Sequence, residues 1–312
     1  MAKISQPRRG TLQYWPRKRV KKFIPSVNWP AISSTNTGLQ GFIAYKVGMR
    51  SAFVKDNTPH SLTKGKRIAL PVTILEVPTI KIFSVRFYKY GKVMTEIFSE
   101  NVDKELKKKV KIPKNKGKNI DEIKDYEDIR VLVYSQVKKT SLKKSPDIAE
   151  ISLGGTLEDK IKFVKEHVGK EISVNSVFKK GILVDIRGVT TGRGLQGPVK
   201  RFGISLKSHK SEKGQRRPGS LGPWHPARVA RFAPQAGQLG MFTRNFYNLK
   251  VIDIGNNQNL FQNMHNYGNV KNDYLIVSGS VPGPSKRQIL LTAPLRKTKK
   301  QEKKSYELVE IR

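Results

Sequence analysis

Gly192, Gly194 and Gly197 have the G-x-G-x-x-G spacing that lets a backbone turn approach a pyrophosphate. A dinucleotide site needs a helix directly after that turn and an acid about twenty residues on. Here Pro198, Gly203 and a run of basic residues follow, and position 217 is Arg. The spacing reads instead as a flexible turn whose N–H groups can approach phosphates closely. The five histidines, His60, His167, His209, His225 and His265, form no H-x-x-x-H or H-x-E pair, so no metal site is expected. His167 reads as structural, whereas His209 and His225 read as hydrogen-bond donors rather than catalysts. General acid–base work needs a positioned acid or base, and the segment around these histidines offers only Glu212. The chain has no cysteine, which excludes zinc knuckles, disulfide frameworks and thiol catalysis. No cofactor is expected and the chain does not read as an enzyme.

Charge is the chemistry that remains. From Arg187 to Lys250 there are thirteen Lys or Arg, one acid, ten glycines and five prolines. Few apolar residues recur there at a period of 3.6 or 2, so the stretch cannot bury an ordinary core. Its like charges repel unless a polyanion neutralises them. Such a segment is built to be ordered by nucleic acid. The candidate RNA-binding residues in it are Arg193, Lys200, Arg201, Lys207, His209, Lys210, Lys213, Arg216, Arg217, Trp224, His225, Arg228, Arg231, Gln238 and Arg244. Trp224 lies between Pro223 and Pro226 in a region too charged for a core, so its ring is expected on RNA bases or fixing a tip. Four arginines flank it with forks suited to phosphates or base stacking. A second group sits near the N-terminus, where the first acid is Asp56. Arg8, Arg9, Trp15, Arg17, Lys18 and Arg19 form a basic, aromatic stretch, and prolines at 7, 16, 25 and 30 forbid a long helix there. It reads as an extended arm that pairs phosphates and stacks on bases.

The whole chain supports this reading. Its 312 residues carry 61 Lys and Arg against 24 acids, a formal charge of +37. That self-repulsion calls for an acidic partner. The length suggests about two domains. With 37% hydrophobic residues the chain can still build a core. No apolar run approaches the roughly 18 residues of a membrane span, and no secretory signal is evident, so no membrane partner is expected.

The elements that hold the arm and the basic segment are mainly β. GFIAYKVGM, RIALPVTILEV and IKIFSVRFYKY read as three strands from Gly41 onward, with Pro71 and Pro78 limiting the second to a short or edge position. Fifteen of the 24 acids fall between Glu96 and Glu171, interleaved with lysines, which predicts a mostly helical insertion with a lysine-rich loop at 107–119. Within it, Ile129–Val137 and Ala149–Gly155 read as strands. Leu157–Lys170 reads as an amphipathic helix with Ile161, Val164 and Val168 on one face, closed by Gly169. ISVNSVF, GILVDIRGV, LKVIDI, YLIVSGSV and QILLTAP complete a set of short strands that favours a barrel. The expected division is a basic arm (1–40), the first part of a β-barrel (41–95), a helical α/β insertion (96–171), barrel strands (172–198), an extended finger (199–245), last barrel strands (246–295) and a basic tail (296–312). Trp224 is 22 residues from both Phe202 and Phe246, so each finger limb spans roughly 60–70 Å if fully extended.

Several stretches resemble one family. PRRGTLQYWPRKR, GFIAYKVGM, RVLVYSQVKKT, DIRGVTTGRGLQGPVKRFG, LGPWHPARV and PQAGQLG resemble, in the same order, the large ribosomal subunit protein three family in its archaeal and eukaryotic form. The resemblance implies a six-stranded translation-protein β-barrel, an inserted α/β region, an RNA-contacting arm and a finger running toward the peptidyl transferase centre with Trp224 at its tip. It implies a non-enzymatic role: binding large-subunit (23S-type) rRNA near its 3′ end early in subunit assembly, beside neighbouring large-subunit proteins, in the cytoplasmic ribosome. Neither DNA nor a second copy of the chain is an expected partner. An RNA-modifying enzyme would need a cofactor loop or clustered carboxylates. A general nucleic-acid-coating protein would fit the charge but would not need a single long probe.

Overall fold

The computed structural model of the protein describes residues 10–32, 37–111, 120–123, 125–256 and 260–312. Arg8, Arg9 and most of the lysine-rich loop lie outside the described residues. In chain order the strands are β1 (Gly38–Leu39), β2 (Gly41–Asp56), β3 (Arg67–Glu76), β4 (Ile80–Lys89), β5 (Lys92–Phe98), β6 (Asp128–Ser135), β7 (Ile148–Gly154), β8 (Glu171–Ile172), β9 (Leu183–Val189), β10 (Leu195–Gln196), β11 (Gly237–Gln238), β12 (Thr243–Gly255), β13 (Tyr274–Ser278), β14 (Gln288–Thr292) and β15 (Tyr306–Ile311). The α-helices are α1 (Leu157–His167), α2 (Pro198–Phe202) and α3 (Lys299–Glu302). The protein is mainly β, as its β-branched and aromatic runs predict. It divides into two units: Lys22–Gly188 with Arg244–Arg312, and the residues up to Lys21 with Val189–Thr243.

In the larger unit the hydrogen-bonded neighbours run β14–β9–β12–β13–β3–β2, and β14 also pairs β2, so the path returns to its start. Gly41–Tyr45 of β2 pair with Gln288–Thr292, and a register shift near Val47 then turns β2 onward to carry β15 at its far end. A second sheet runs β1–β7–β6–β4–β5, with β8 beside β4. One core serves both: Phe42, Ile43, Leu75, Ile186 and Leu290 from the ring cluster with Ile80, Val131 and Ile151 from the second sheet. Helix α1 caps this core with buried Val164 and begins at Thr156, whose hydroxyl accepts the Asp159 N–H while the Asp159 carboxylate accepts the Thr156 N–H.

Several expectations are corrected. Pro71 does not confine β3 to an edge, because β3 lies between β2 and β13. Its carbonyl accepts the Gly279 N–H, so its nitrogen faces that same side, one residue past the last β13 partner, Val72. The missing donor therefore costs no ladder bond. The strand at 80–89 belongs to the second sheet rather than to the ring. The stretch from 96 to 171 is not mostly helical: among its described residues only α1 is an α-helix. ISVNSVF is not a strand beyond Ile172. Val174 and Phe178, four apart, turn into the core through a 3-10 turn. Folded structure starts before Gly41, since Trp29 is buried and its indole N–H donates to the Glu150 carbonyl. The segment after 296 is not only a tail: α3 and β15 are formed, and Glu310 takes ion pairs from Arg67 and Arg312.

Candidate nucleic-acid interface

The smaller unit holds the described part of the arm and the basic segment together. Pro198 starts α2, where its fixed φ and missing N–H suit a first turn, and Gly203 ends it at φ 64°. This short helix carries Phe202, 8% exposed, which the sequence reading did not single out. The Trp15 ring stacks on Phe202 at 6.3 Å between centroids and 17° between planes. The Arg17 guanidinium sits 4.5 Å from the Phe202 centroid and 5.5 Å from that of Trp15. A Cβ on Gly10 would lie 2.9 Å from the Phe202 ring, so the arm passes it as bare backbone.

Arg17 and Arg201 fasten the arm to the foot of the finger reciprocally. Arg17 Nη1 donates to the Arg201 carbonyl at 3.4 Å, and Arg201 Nη2 donates to the Arg17 carbonyl at 3.5 Å. Arg201 also donates from Nε to the Gln238 carbonyl at 3.0 Å and from Nη1 to the Gln235 carbonyl at 3.0 Å. It lies against Gly237, where a Cβ would meet the guanidinium at 2.6 Å. Burial lowers the Arg201 pKa. Gln238 donates to the Leu239 and Gly240 carbonyls. Arg17, Arg201 and Gln238, expected on RNA, are thus engaged in holding the protein's own backbone.

The two limbs are joined above this foot by β10 and β11, with Leu195 opposite Gln238 and Gln196 opposite Gly237. Arg193 N–H donates to the Leu239 carbonyl, and Leu239 N–H to the Gly194 carbonyl, both at 2.9 Å. The glycine spacing therefore serves a backbone junction. At Gly240 (φ +75°) a Cβ would lie 2.0 Å from the Thr191 carbonyl oxygen. The arm's Val20 N–H donates to the Met241 carbonyl at 3.0 Å.

Beyond the junction the character changes. No residue from 203 to 239 is buried. One loop closes on itself, with Lys207 N–H donating to the Gln215 carbonyl and the Gln215 amide to the His209 carbonyl. Lys18, Arg19, Arg193, Lys200, Lys207, His209, Lys210, Lys213, Arg216, Arg217, His225, Arg228 and Arg231 are all exposed, and Trp224 is 88% exposed. Arg244 and Trp15 are half-buried. From Lys207 to Arg231 seven cations accompany one acid, Glu212, and among the described residues no ion pair joins them. Such a surface presents guanidinium forks, ammonium groups and one bare indole to a polyanion. Among the described residues no three His, Asp or Glu side chains come together as metal ligands, and no helix is long and apolar enough to cross a membrane.

A family model described as ribosomal protein L3 matches residues 1–312. The large ribosomal subunit protein uL3 of Methanocaldococcus jannaschii is 40% identical over 311 residues, covering 94% of this chain and 92% of its own. That of Picrophilus torridus is 41% identical over 312 residues, covering 96% and 94%, and that of Methanococcus aeolicus is 38% identical over 310 residues, covering 94% and 92%.

Proposed function

The chain belongs to the ribosomal protein L3 family, a structural constituent of the large subunit of the cytoplasmic ribosome and not an enzyme, and on that premise we propose that its exposed arm and finger bind large-subunit rRNA. The observation that carries this reading is the stretch from 203 to 239, rich in unpaired cations and without one buried residue. Such a segment gains order only when phosphates replace its counterions. We read the closed strand ring as the family's six-stranded barrel, residues 199–245 as the finger with Trp224 at the tip, and the basic residues up to Arg19 as the arm. We read the exposed Lys, Arg and His side chains named above as the RNA ligands, with Arg8, Arg9 and Arg244, and Trp224 supplies a stacking face. Arg17, Arg201 and Gln238 act one step back by setting the foot from which the finger leaves.

The protein binds near the 3′ end of the rRNA, early in assembly, beside neighbouring large-subunit proteins, and its finger extends toward the peptidyl transferase centre. It works as one copy per subunit and does not coat DNA. Limited proteolysis tests this reading. Cleavage between 203 and 236 should be rapid in the free protein and absent in the assembled subunit. A joint Arg216→Ala, Arg217→Ala, Arg228→Ala, Arg231→Ala variant should bind rRNA more weakly and with a log–log salt slope shallower by about 0.7–0.9 per lost contact. Equal protection of the finger in both states, or an unchanged slope, would sink the reading.

A further inference from the structure

In the larger unit a cleft of about 390 Å³ opens between the loop after β6 and the two loops that follow β12 and β13. Ser141, Asn263, Asn269, Lys271 and Lys286 line it, with Leu142 as an apolar wall. No carboxylate is among its lining residues. Three of these residues hold left-handed backbone that side chains other than glycine seldom adopt: Ser141 at φ 61°, Asn263 at φ 49° and Lys286 at φ 68°. They lie far apart in sequence yet meet at one opening. Asparagine adopts this region readily, so the strain lies at Ser141 and Lys286, and strain of this kind clusters at ligand-binding surfaces.

The cleft is also held rigid from behind. Glu76 is fully buried and accepts the Tyr267 hydroxyl, the Lys271 N–H at 2.9 Å, the Asn272 N–H at 3.0 Å and the Asn272 amide at 2.8 Å. This carboxylate pins the loop 267–272 from the core side. Asn263 N–H donates to Asn269 Oδ1 at 2.8 Å, and Lys271 Nζ donates to Ser141 Oγ at 2.8 Å, which ties the two sides of the cleft together. The backbone of Lys286 is fixed by its N–H on the Lys46 carbonyl at 2.7 Å.

We propose that this cleft is a separate RNA site that takes one unstacked nucleotide of the large-subunit rRNA. The phosphate meets the Lys271 and Lys286 ammonium groups and the Ser141 hydroxyl. The base edge meets the side-chain amides of Asn263 and Asn269, which offer both donors and acceptors. Leu142 covers part of a base face. An acidic protein tail would satisfy the two lysines but would leave the amide pair without a role. The inference rests on the proposed reading that the chain binds large-subunit rRNA.

The test is 2′-hydroxyl acylation footprinting of rRNA in large subunits that carry the full chain. Lys286 is exposed and its side chain makes no ion pair among the described residues, so Lys286→Ala leaves the fold intact. It should raise the reactivity of one short rRNA segment several-fold. Lys271→Ala should raise the same segment, and Lys286→Arg should keep it protected. The Arg216→Ala, Arg217→Ala pair in the finger should expose a different segment. If only the finger pair changes the footprint, the cleft is not an RNA site while the proposed function stands. If neither does, the reading beneath it fails as well. A photo-crosslinker at position 286 that captures protein instead of rRNA would overturn the proposal in favour of an acidic partner.

Discussion

Replacing Phe202 with Ala should release the arm from the foot of the finger. Phe202 is 8% exposed, so its ring gains about 1.5–3 kcal/mol from burial. The guanidinium groups of Arg17 at 4.5 Å and Arg201 at 5.0 Å add about 0.5 kcal/mol each. The Trp15 stack adds about 0.5 kcal/mol. The joint is shallow and can partly collapse, so the net cost is about 3 kcal/mol, near the low end for Phe truncation. At a tenfold change per 1.4 kcal/mol, local opening becomes about 100-fold more frequent. Amide hydrogen exchange of the free protein reads this directly. The Val20 N–H, bonded to the Met241 carbonyl at 3.0 Å, is the reporter, and Val133, paired with Ile82 in the second sheet, is the internal control. Val20 should exchange about 100-fold faster while Val133 is unchanged. An unaltered Val20 rate, or an equal acceleration at Val133, would refute the idea that the aromatic stack is what holds the arm.

Gly240→Ala should break the junction of the two limbs, since its Cβ would lie 2.0 Å from a backbone oxygen; loss of exchange protection at the Arg193 N–H checks it, and wild-type protection would count against it. Thr156→Ala should cost α1 about 1 kcal/mol, measurable by chemical denaturation. The Thr156 hydroxyl, then its N–H, lowers the Asp159 pKa. That contribution is therefore complete above the ordinary carboxylate range near about 4 and is lost as pH falls through the lowered folded value. The difference between wild type and Thr156→Ala should shrink on acidification, and a gap that widens would contradict the capping-box account.

The finger and arm were legible because composition alone forbids them a core: glycine, proline and cations without acids leave few alternatives. Which cations would turn inward was not legible. Arg17 and Arg201 are 184 positions apart, and nothing local distinguishes them from Arg19 or Arg193. β5 itself is not among the strands read from the sequence, although Tyr90–Gly91 signals the turn into it. Both have positive φ and close a two-residue hairpin between Lys89 and Lys92. β15 alternates as YELVEI, a strand pattern overshadowed by the lysine run before it. The cleft at Lys271 and Lys286 left no sequence trace, because it depends on backbone angles at residues that only the tertiary fold brings together.

The pairing of Gly41–Tyr45 with Gln288–Thr292 sets a timetable for the protein's own synthesis. β2 can zip onto β3 soon after both emerge, but its other side waits for a strand made near the end of translation. At about 5–20 residues per second the wait lasts roughly 12–50 s. The cationic finger has already been made by then, while that edge of β2 stays unpaired and sticky. A newborn copy is thus most vulnerable to aggregation during this interval, and whatever shields it must act before translation ends.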